Sequence, residues 1–253
     1  MYKRQRKWDR IVAKNVDYRI RKMDKKPDYI LSISPYFTAY YKSIGCKNVI
    51  EIPPIMDCIE TAINPTVRRV RHAVYAGSPA QKDLILPFLD AVAKRNEKQV
   101  DIIADIVGVS NEQVMALMKI SDPEQKGIIA YGRIPHEKCI EIVKMADFSV
   151  LLRENLRYAK AGFSTKLSES LSLGVPVLCN SVGGADEIIQ DGQNGIKVEG
   201  CNTNTIIAAL DRIISLSDGE IDDLKRSALN TGKHLFDGSA YVAVLNDAVN
   251  GLI

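Results

Sequence analysis

From about Arg69 onward, short apolar runs alternate regularly with amphipathic segments, and this predicts an α/β fold: a Rossmann-like, doubly wound parallel sheet covered by helices on both faces. A second observation agrees. Glycines and cations gather in the loops that follow the apolar runs, which is where ligands sit in open α/β sheets. A third is a shorter helix, strand, helix, strand pattern ahead of Arg69, too small for a complete α/β domain and read as the remnant of one.

The elements follow in order. Trp8, Ile11, Val12, Val16, Ile20 and Met23 recur at helical spacing, so residues 6–25 are predicted helical with a basic outer face, ending before Pro27. "YILSIS" reads as a strand, "PYFTAYYKSIG" as a short helix with a glycine stop, and "NVIEI" as a second strand. The stretch "PPIMDCIETAINPTV", with three prolines, is the expected linker. Strand "HAVYAG" then precedes a helix from Lys82 to Arg95, "VDIIADIVG" a helix from Asn111 to Lys119, and "GIIAY" a helix from Pro135 to Met145. Strand "DFSVLL" leads into a loop from Arg153 to Phe163 and a helix from Ser164 to Leu173. Strand "VPVLCN", a helix over Ala185 to Gln190, strand "GIKVE" and a helix from Thr203 to Leu216 complete the alternation. Two last helices are expected over Asp218–Leu235 and Ser239–Leu252.

Composition narrows the class. With 46% hydrophobic and 26% charged residues the chain is of the soluble globular kind, and no apolar run approaches the ~18 residues that span a bilayer. The basic start is not followed by the apolar core of a signal peptide, so the cytoplasm is the default expectation. The five cysteines lie far apart with no C-x-x-C, and the three histidines share no ligand spacing, so neither a disulfide framework nor a metal site is expected. The net charge of +3 conceals an asymmetry, because residues 1–26 hold eleven Lys or Arg against three Asp. Such a helix face is ordinarily just solvated; a peripheral contact with anionic lipid at the inner face of a membrane, or with an acidic acceptor, is the alternative. The first five residues, "MYKRQ", fit the codons GTG TAT AAG AGA CAG, which resemble the end of a transposase adapter. Residues 1–5 are therefore expected to be a sequencing scar on a chain truncated at its N-terminus, with an ordinary basic start as the alternative.

Four loops beyond the strands converge chemically. Gly77, Ser78 and Lys82 follow the first, Gly132 and Arg133 the third, and Arg153, Glu154, Arg157, Lys160 and Gly162 the fourth; Ser181, Gly183 and Gly184 follow the fifth. Backbone N–H groups at a helix start suit phosphate oxygens, and Lys or Arg adds charge-assisted hydrogen bonds, so a diphosphate-bearing ligand is the inference. The absence of both G-x-G-x-x-G after a strand and G-x-x-x-x-G-K-[ST] weakens a dinucleotide or P-loop reading.

The ordered segments "VYAGSPAQKD", "IIAYGRIPHEKCIEIVKMADFSVLL" and "AGFSTKLSESLSLGVPVLCNSVGGADEIIQDGQNGIKV" resemble the donor-binding domain of the group 1 glycosyltransferases, the family-4 retaining enzymes of the GT-B fold. The resemblance covers residues 67–216, and residues 28–57 are similar to the last strand, helix and strand of that fold's N-terminal domain. It implies a division into residues 1–5, a remnant of the acceptor domain at 6–57, a linker at 58–68, a donor-binding domain at 69–217 and, at 218–253, helices that pack toward the N-terminal domain. It further implies transfer of a sugar, with retention, from a UDP- or GDP-sugar to a hydroxyl of a saccharide or lipid-linked acceptor. No cofactor, metal or nucleic acid partner is implied.

Site roles follow position by position. Glu169 matches the second glutamate of the family's Glu-x7-Glu signature and would hold the ribose hydroxyls. The first glutamate position holds Ala161. A branch of bacterial polysaccharide transferases with A-G-F-[SP]-T-K here is similar, and in it Glu154, Asn155 or Lys160 would take the sugar contact. Lys82 matches the phosphate-binding lysine, while Ser78 stands where arginine is common, so Arg153, Lys160 or Lys166 would supply the missing cation. Amides of Gly162, Phe163, Ser164 and Thr165 would bind the diphosphate or sugar, and Gly77, Gly132 and Arg133 would lie beside the nucleotide. With the acceptor domain largely absent, weak transfer or none is expected from this chain. A non-catalytic nucleotide-sugar-binding module, favoured by Ala161, and a basic interaction protein acting through residues 1–26 are the competing readings. Epimerases sharing the fold are disfavoured by the lack of histidine acid–base equipment.

Overall fold

A computed structural model of the chain describes residues 27–58, 69–78 and 82–251, together with Ile11 and six further positions up to Lys22. Those seven positions are helical and exposed. The expected scar, Trp8, Val12, Ile20 and Met23 of the basic helix, and most of the expected linker lie outside the described residues. The chain divides into two compact units, residues 1–53 with 241–253, and residues 54–240.

In the smaller unit, β1 (Ile30–Ser32) and β2 (Val49–Glu51) pair in parallel, joined by α1 (Pro35–Ser43). Ser34 caps α1 by accepting from the Phe37 amide at 3.3 Å, and Pro35 at the first helical position loses no hydrogen bond there.

The larger unit carries β3 (Arg71–Ala76), α2 (Ile85–Arg95), β4 (Ile102–Val107), α3 (Asn111–Met118), β5 (Ile128–Gly132), α4 (His136–Met145) and β6 (Phe148–Leu151). Next come α5 (Arg157–Ala161), α6 (Thr165–Ser172), β7 (Val177–Cys179), α7 (Ala185–Ile188), β8 (Gly195–Lys197), α8 (Thr203–Ser215) and α9 (Asp218–Phe236). The final helix, α10 (Val242–Asn250), falls in the smaller unit. All six strands from β3 to β8 run parallel in the order β5-β4-β3-β6-β7-β8. The order reverses between β3 and β6, so a crevice opens beyond their carboxyl ends.

Alternate strand residues feed cores on opposite faces. Ala73, Tyr75, Ile102, Ala104, Ile106 and Val150 pack with Phe88 and Leu89 of α2 and Leu210 and Ile213 of α8. On the other face Val74 and Val107 meet Val143 of α4, while Leu151, Val177 and Cys179 meet Leu167 and Leu171 of α6 and Phe236 of α9. Burial on both sides is why these strands read as nearly continuous apolar runs.

Three local features depart from expectation. Helix α2 starts at Ile85, not Lys82, because Asp83 forms an antiparallel bridge with Arg153 and the Leu84 amide donates to Leu152 O at 2.8 Å. Those contacts hold the segment extended, so Lys82 lies in the loop ahead of the helix and does not oppose its dipole. The expected loop from Arg153 to Phe163 contains the short helix α5. The last helix begins as a 3-10 turn over Gly238–Tyr241, and α10 starts three residues later than expected.

Helix α9 braces α6. Its start is closed by a capping box between Ser217 and Glu220, and Asp218 pairs with Arg71 at 2.5 Å. Farther along, Gly232 crosses the end of α6 so closely that a Cβ there would stand 2.5 Å from Leu171 O and 2.6 Å from Ser172 N. Gly232→Ala would gain up to ~1 kcal/mol of helix propensity. Forcing apart two packed backbones costs about 1–3 kcal/mol. With the full propensity gain the variant is therefore expected to be destabilised by up to about 2 kcal/mol net, read from the shift in its urea midpoint.

Candidate functional site

The crevice between the ends of β3 and β6 holds a compact charge cluster. Asp83, in the loop after β3, accepts from Arg153 Nε on Oδ1 at 2.8 Å, and from Tyr75 Oη on Oδ2 at 2.8 Å. Lys166 Nζ donates to the same Oδ2. The Lys166 ammonium also sits 4.1 Å from the centroid of the Tyr75 ring, a cation–π contact. Gly77 allows this approach: it adopts φ +145, and a Cβ there would stand 2.8 Å from Lys166 Cε. Arg153 is oriented at its backbone, where Asn180 at the end of β7 accepts from its amide at 3.0 Å and donates to its carbonyl at 2.8 Å.

Burial and charge compete within the cluster. Burial alone would raise the Asp83 pKa, but the hydrogen bond and charge of Lys166, then the hydrogen bonds of Arg153 and Tyr75, outweigh it and hold the carboxyl below its ordinary range. For Lys166, desolvation wins and its pKa falls despite the stabilising contact with Asp83. Tyr75 is pushed up by burial, then by the charge and hydrogen bond of Asp83, so it remains a donor.

Helix α6 supplies the second component. Ser164 occupies its N-cap but makes no side-chain cap hydrogen bond, and its buried hydroxyl finds no partner among the described residues. The first amides of the helix, Thr165 and Lys166, have no intrahelical acceptor and are not capped. Lys166 and Glu169, three residues apart, share a side of α6, while Leu167 and Leu171 face the core. The Glu169 carboxylate makes no hydrogen bond among the described residues; its charge, after burial, raises the pKa of Cys139 on α4.

Two of the four amides expected to face the ligand are already engaged. The Gly162 amide donates to Tyr158 O at 3.2 Å, closing α5, and the Ser164 amide donates to Gly183 O at 3.2 Å. Phe163 turns into the core, where it meets Phe236 edge-on at 5.9 Å, and a Cβ on Gly184 would stand 2.6 Å from its ring. Among the described residues no hydrogen bond engages the Phe163 and Thr165 amides.

The other expected residues are spread more widely. Lys82 and Ser78 are exposed in the loop after β3, and Glu154, Asn155, Arg157 and Lys160 are exposed around α5, outside the Asp83 cluster. Gly132, φ +65, ends β5, and Arg133 beyond it is exposed. They lie two strand spacings, about 10 Å, from β3. A cavity lined by Asn155, Asn180, Ser181, Lys197 and Arg212 lies off to one side. Its polar groups are engaged internally, Asn180 with Arg153 and Arg212 with Asp191. Asp83, Tyr75 and Asn180 were not legible as site residues. The only signal in the sequence was the position of Asp83, directly after Lys82 in a strand-to-helix loop.

Solved structures share this architecture. Sucrose-phosphate synthase of Thermosynechococcus elongatus superposes with a TM-score of 0.73 at 17% identity, covering 98% of this chain and 62% of that one. HepE of Anabaena, solved with UDP and glucose, superposes at 0.70 with 14% identity, covering 94% and 67%. At such identities the likeness is one of fold, the α/β fold with a parallel sheet of GT-B glycosyltransferase structures. Residues 74–231 match the family described as Glycosyl transferases group 1, and the chain belongs to that family. An uncharacterised glycosyltransferase of Methanocaldococcus jannaschii is 30% identical over 116 residues, which is 46% of this chain and 28% of that protein. The chain thus spans less than a third of that relative's length.

The ionised Asp83 stabilises the fold above the ordinary carboxylate pKa, near 4, and that contribution is lost as pH falls through its lowered folded value. Asp83→Asn is accordingly expected to be less stable than the parent by about 1–3 kcal/mol at pH 7. The gap should close as pH falls through that lowered folded value, as measured by chemical denaturation across pH.

Proposed function

We propose that the chain carries the donor site of a retaining glycosyltransferase that moves a sugar from a nucleotide sugar to an acceptor hydroxyl. The observation that carries this reading is the uncapped N-terminus of α6, flanked by Lys166 and Arg153 at the point where the strand order reverses. A helix start without a side-chain cap, beside two fixed cations, is chemically matched to a diphosphate. Glu169, on the same side of α6 and with no hydrogen bond to its carboxylate among the described residues, is suited to a vicinal diol. The distance from β3 to Gly132 and Arg133 is one that a nucleoside diphosphate spans between its phosphates and its base.

In this mechanism the leaving nucleoside diphosphate is stabilised electrostatically by Lys166, Arg153 and the first amides of α6, with Lys82 and Lys160 approaching from the exposed loops. The nucleotide sugar is the substrate, a UDP- or GDP-sugar, and no cofactor is called for. Binding of UDP and glucose by HepE supports the donor class. The motif from Ala161 to Lys166 supports a setting in cell-surface polysaccharide synthesis, with a saccharide or lipid-linked acceptor. Contact of the basic residues 1–26 with anionic lipid belongs to the same proposal. Ala161, where the family carries a glutamate, favours a second reading as a non-catalytic nucleotide-sugar-binding module.

Calorimetric titration with UDP, GDP and their sugars tests the donor site, and NMR of the anomeric product tests retention. Glu169→Gln is expected to weaken nucleoside diphosphate binding about 10- to 100-fold, the equivalent of about 1.5–3 kcal/mol for hydrogen bonds to a charged group. Binding of inorganic pyrophosphate should not change. Equal losses for both ligands would reject the ribose role of Glu169, and nucleotide binding without transfer to any acceptor would support the binding-module reading.

A further inference from the structure

We propose that Asp83 is the positioning residue of the diphosphate subsite: its carboxylate holds Arg153 and Lys166 in one geometry and, as the resident anion, sets how tightly that subsite grips another. The inference rests on the reading of the site as one for a nucleotide sugar. Asp83 is engaged from three elements, through Tyr75 at the end of β3, Arg153 after β6 and Lys166 in the first turn of α6. Its side chain is only 7% exposed, so water does not readily take its place. Its own position is fixed by the backbone bridge to Arg153 and by the adjacent Leu84 amide.

The manner of the hold matters. Arg153 is gripped through Nε, which leaves both terminal nitrogens without a hydrogen-bond partner among the described residues. Nη1 stands 3.5 Å from the position a Cβ would take on Gly183, whose carbonyl accepts from the N-cap Ser164. The free fork of the guanidinium is therefore placed beside the start of α6. Lys166 is confined by the carboxylate, the Tyr75 ring and the Gly77 backbone. Without Asp83 neither long side chain has a fixed seat.

Charge gives the second consequence. Two cations and one carboxylate leave the cluster at +1, and a diphosphate entering it meets the repulsion of Asp83 at nearly the range of the attraction. Asp83 thus orders the cations while limiting affinity, which favours departure of the nucleoside diphosphate after transfer.

Two substitutions separate these effects in the intact chain, with circular dichroism confirming that each variant is folded. Asp83→Asn keeps the shape and one acceptor oxygen but removes the charge, and is expected to bind inorganic pyrophosphate about tenfold more tightly by calorimetry. Asp83→Ala removes the hold as well, and is expected to bind it about tenfold more weakly. Opposite signs at one position are not what a merely structural residue produces. In both variants Lys166, buried and without its counter-charge, should acylate several-fold faster at neutral pH, followed by mass spectrometry of the labelled peptide. Binding changes of the same sign, or unaltered labelling of Lys166, would overturn the role of Asp83 alone. Failure of the parent and both variants to bind pyrophosphate would overturn the reading of the subsite, and this inference with it.

Discussion

Every strand of the larger unit is parallel, and a parallel sheet has to be buried on both faces. The rest of the structure depends on that constraint. With α2, α3, α8 and the start of α9 packed on one face and α4, α6 and the rest of α9 on the other, polar chemistry has room only beyond the strand ends. The reversal of strand order between β3 and β6 then selects one place among those ends, because the chain leaves these two neighbouring strands toward opposite faces. Asp83 and Arg153 stand on the two sides of that place and bridge it.

The helices around this crevice are held more firmly than their lengths suggest. Helix α6 has only eight residues, and an isolated helix of that size is not stable in water. It persists because Leu167 and Leu171 are buried and because α9, anchored at its far end by Arg71 and capped by Ser217, crosses it at Gly232. The N-terminus of α6 can consequently remain without a side-chain cap. That vacancy in ordinary capping is a local cost at the point where an anion would be received, supported by packing elsewhere.

The buried cluster behaves differently from a surface ion pair. Arg153 and Lys166 are both mostly shielded from water, so their attraction to Asp83 is screened little, yet each also loses hydration. The opposing outcomes follow from the number of partners each charge has. Asp83, drawing on three donors, keeps its charge easily, whereas Lys166 keeps its charge against a larger desolvation cost. A second anion near Lys166 would favour its charged form, coupling ligand binding to the protonation of this lysine.

The amino-acid sequence by itself determined the fold class, the order of the elements and the motif around Lys166 and Glu169, because those depend on periodicity and on neighbours close along the chain. Alternation of apolar runs with amphipathic segments is a local signal, and so is a glycine and serine turn before a helix. Only the tertiary structure decided which cations act together. Lys82 was legible as a candidate and proves to lie in an exposed loop, while Asp83 beside it turns inward to bind residues 70 and 83 positions away along the chain. It also decided which amides remain open, since the pairing of Ser164 with Gly183 depends on two loops meeting in space. Such contacts leave no trace in spacing or propensity, for they arise from where the sheet brings its strand ends together.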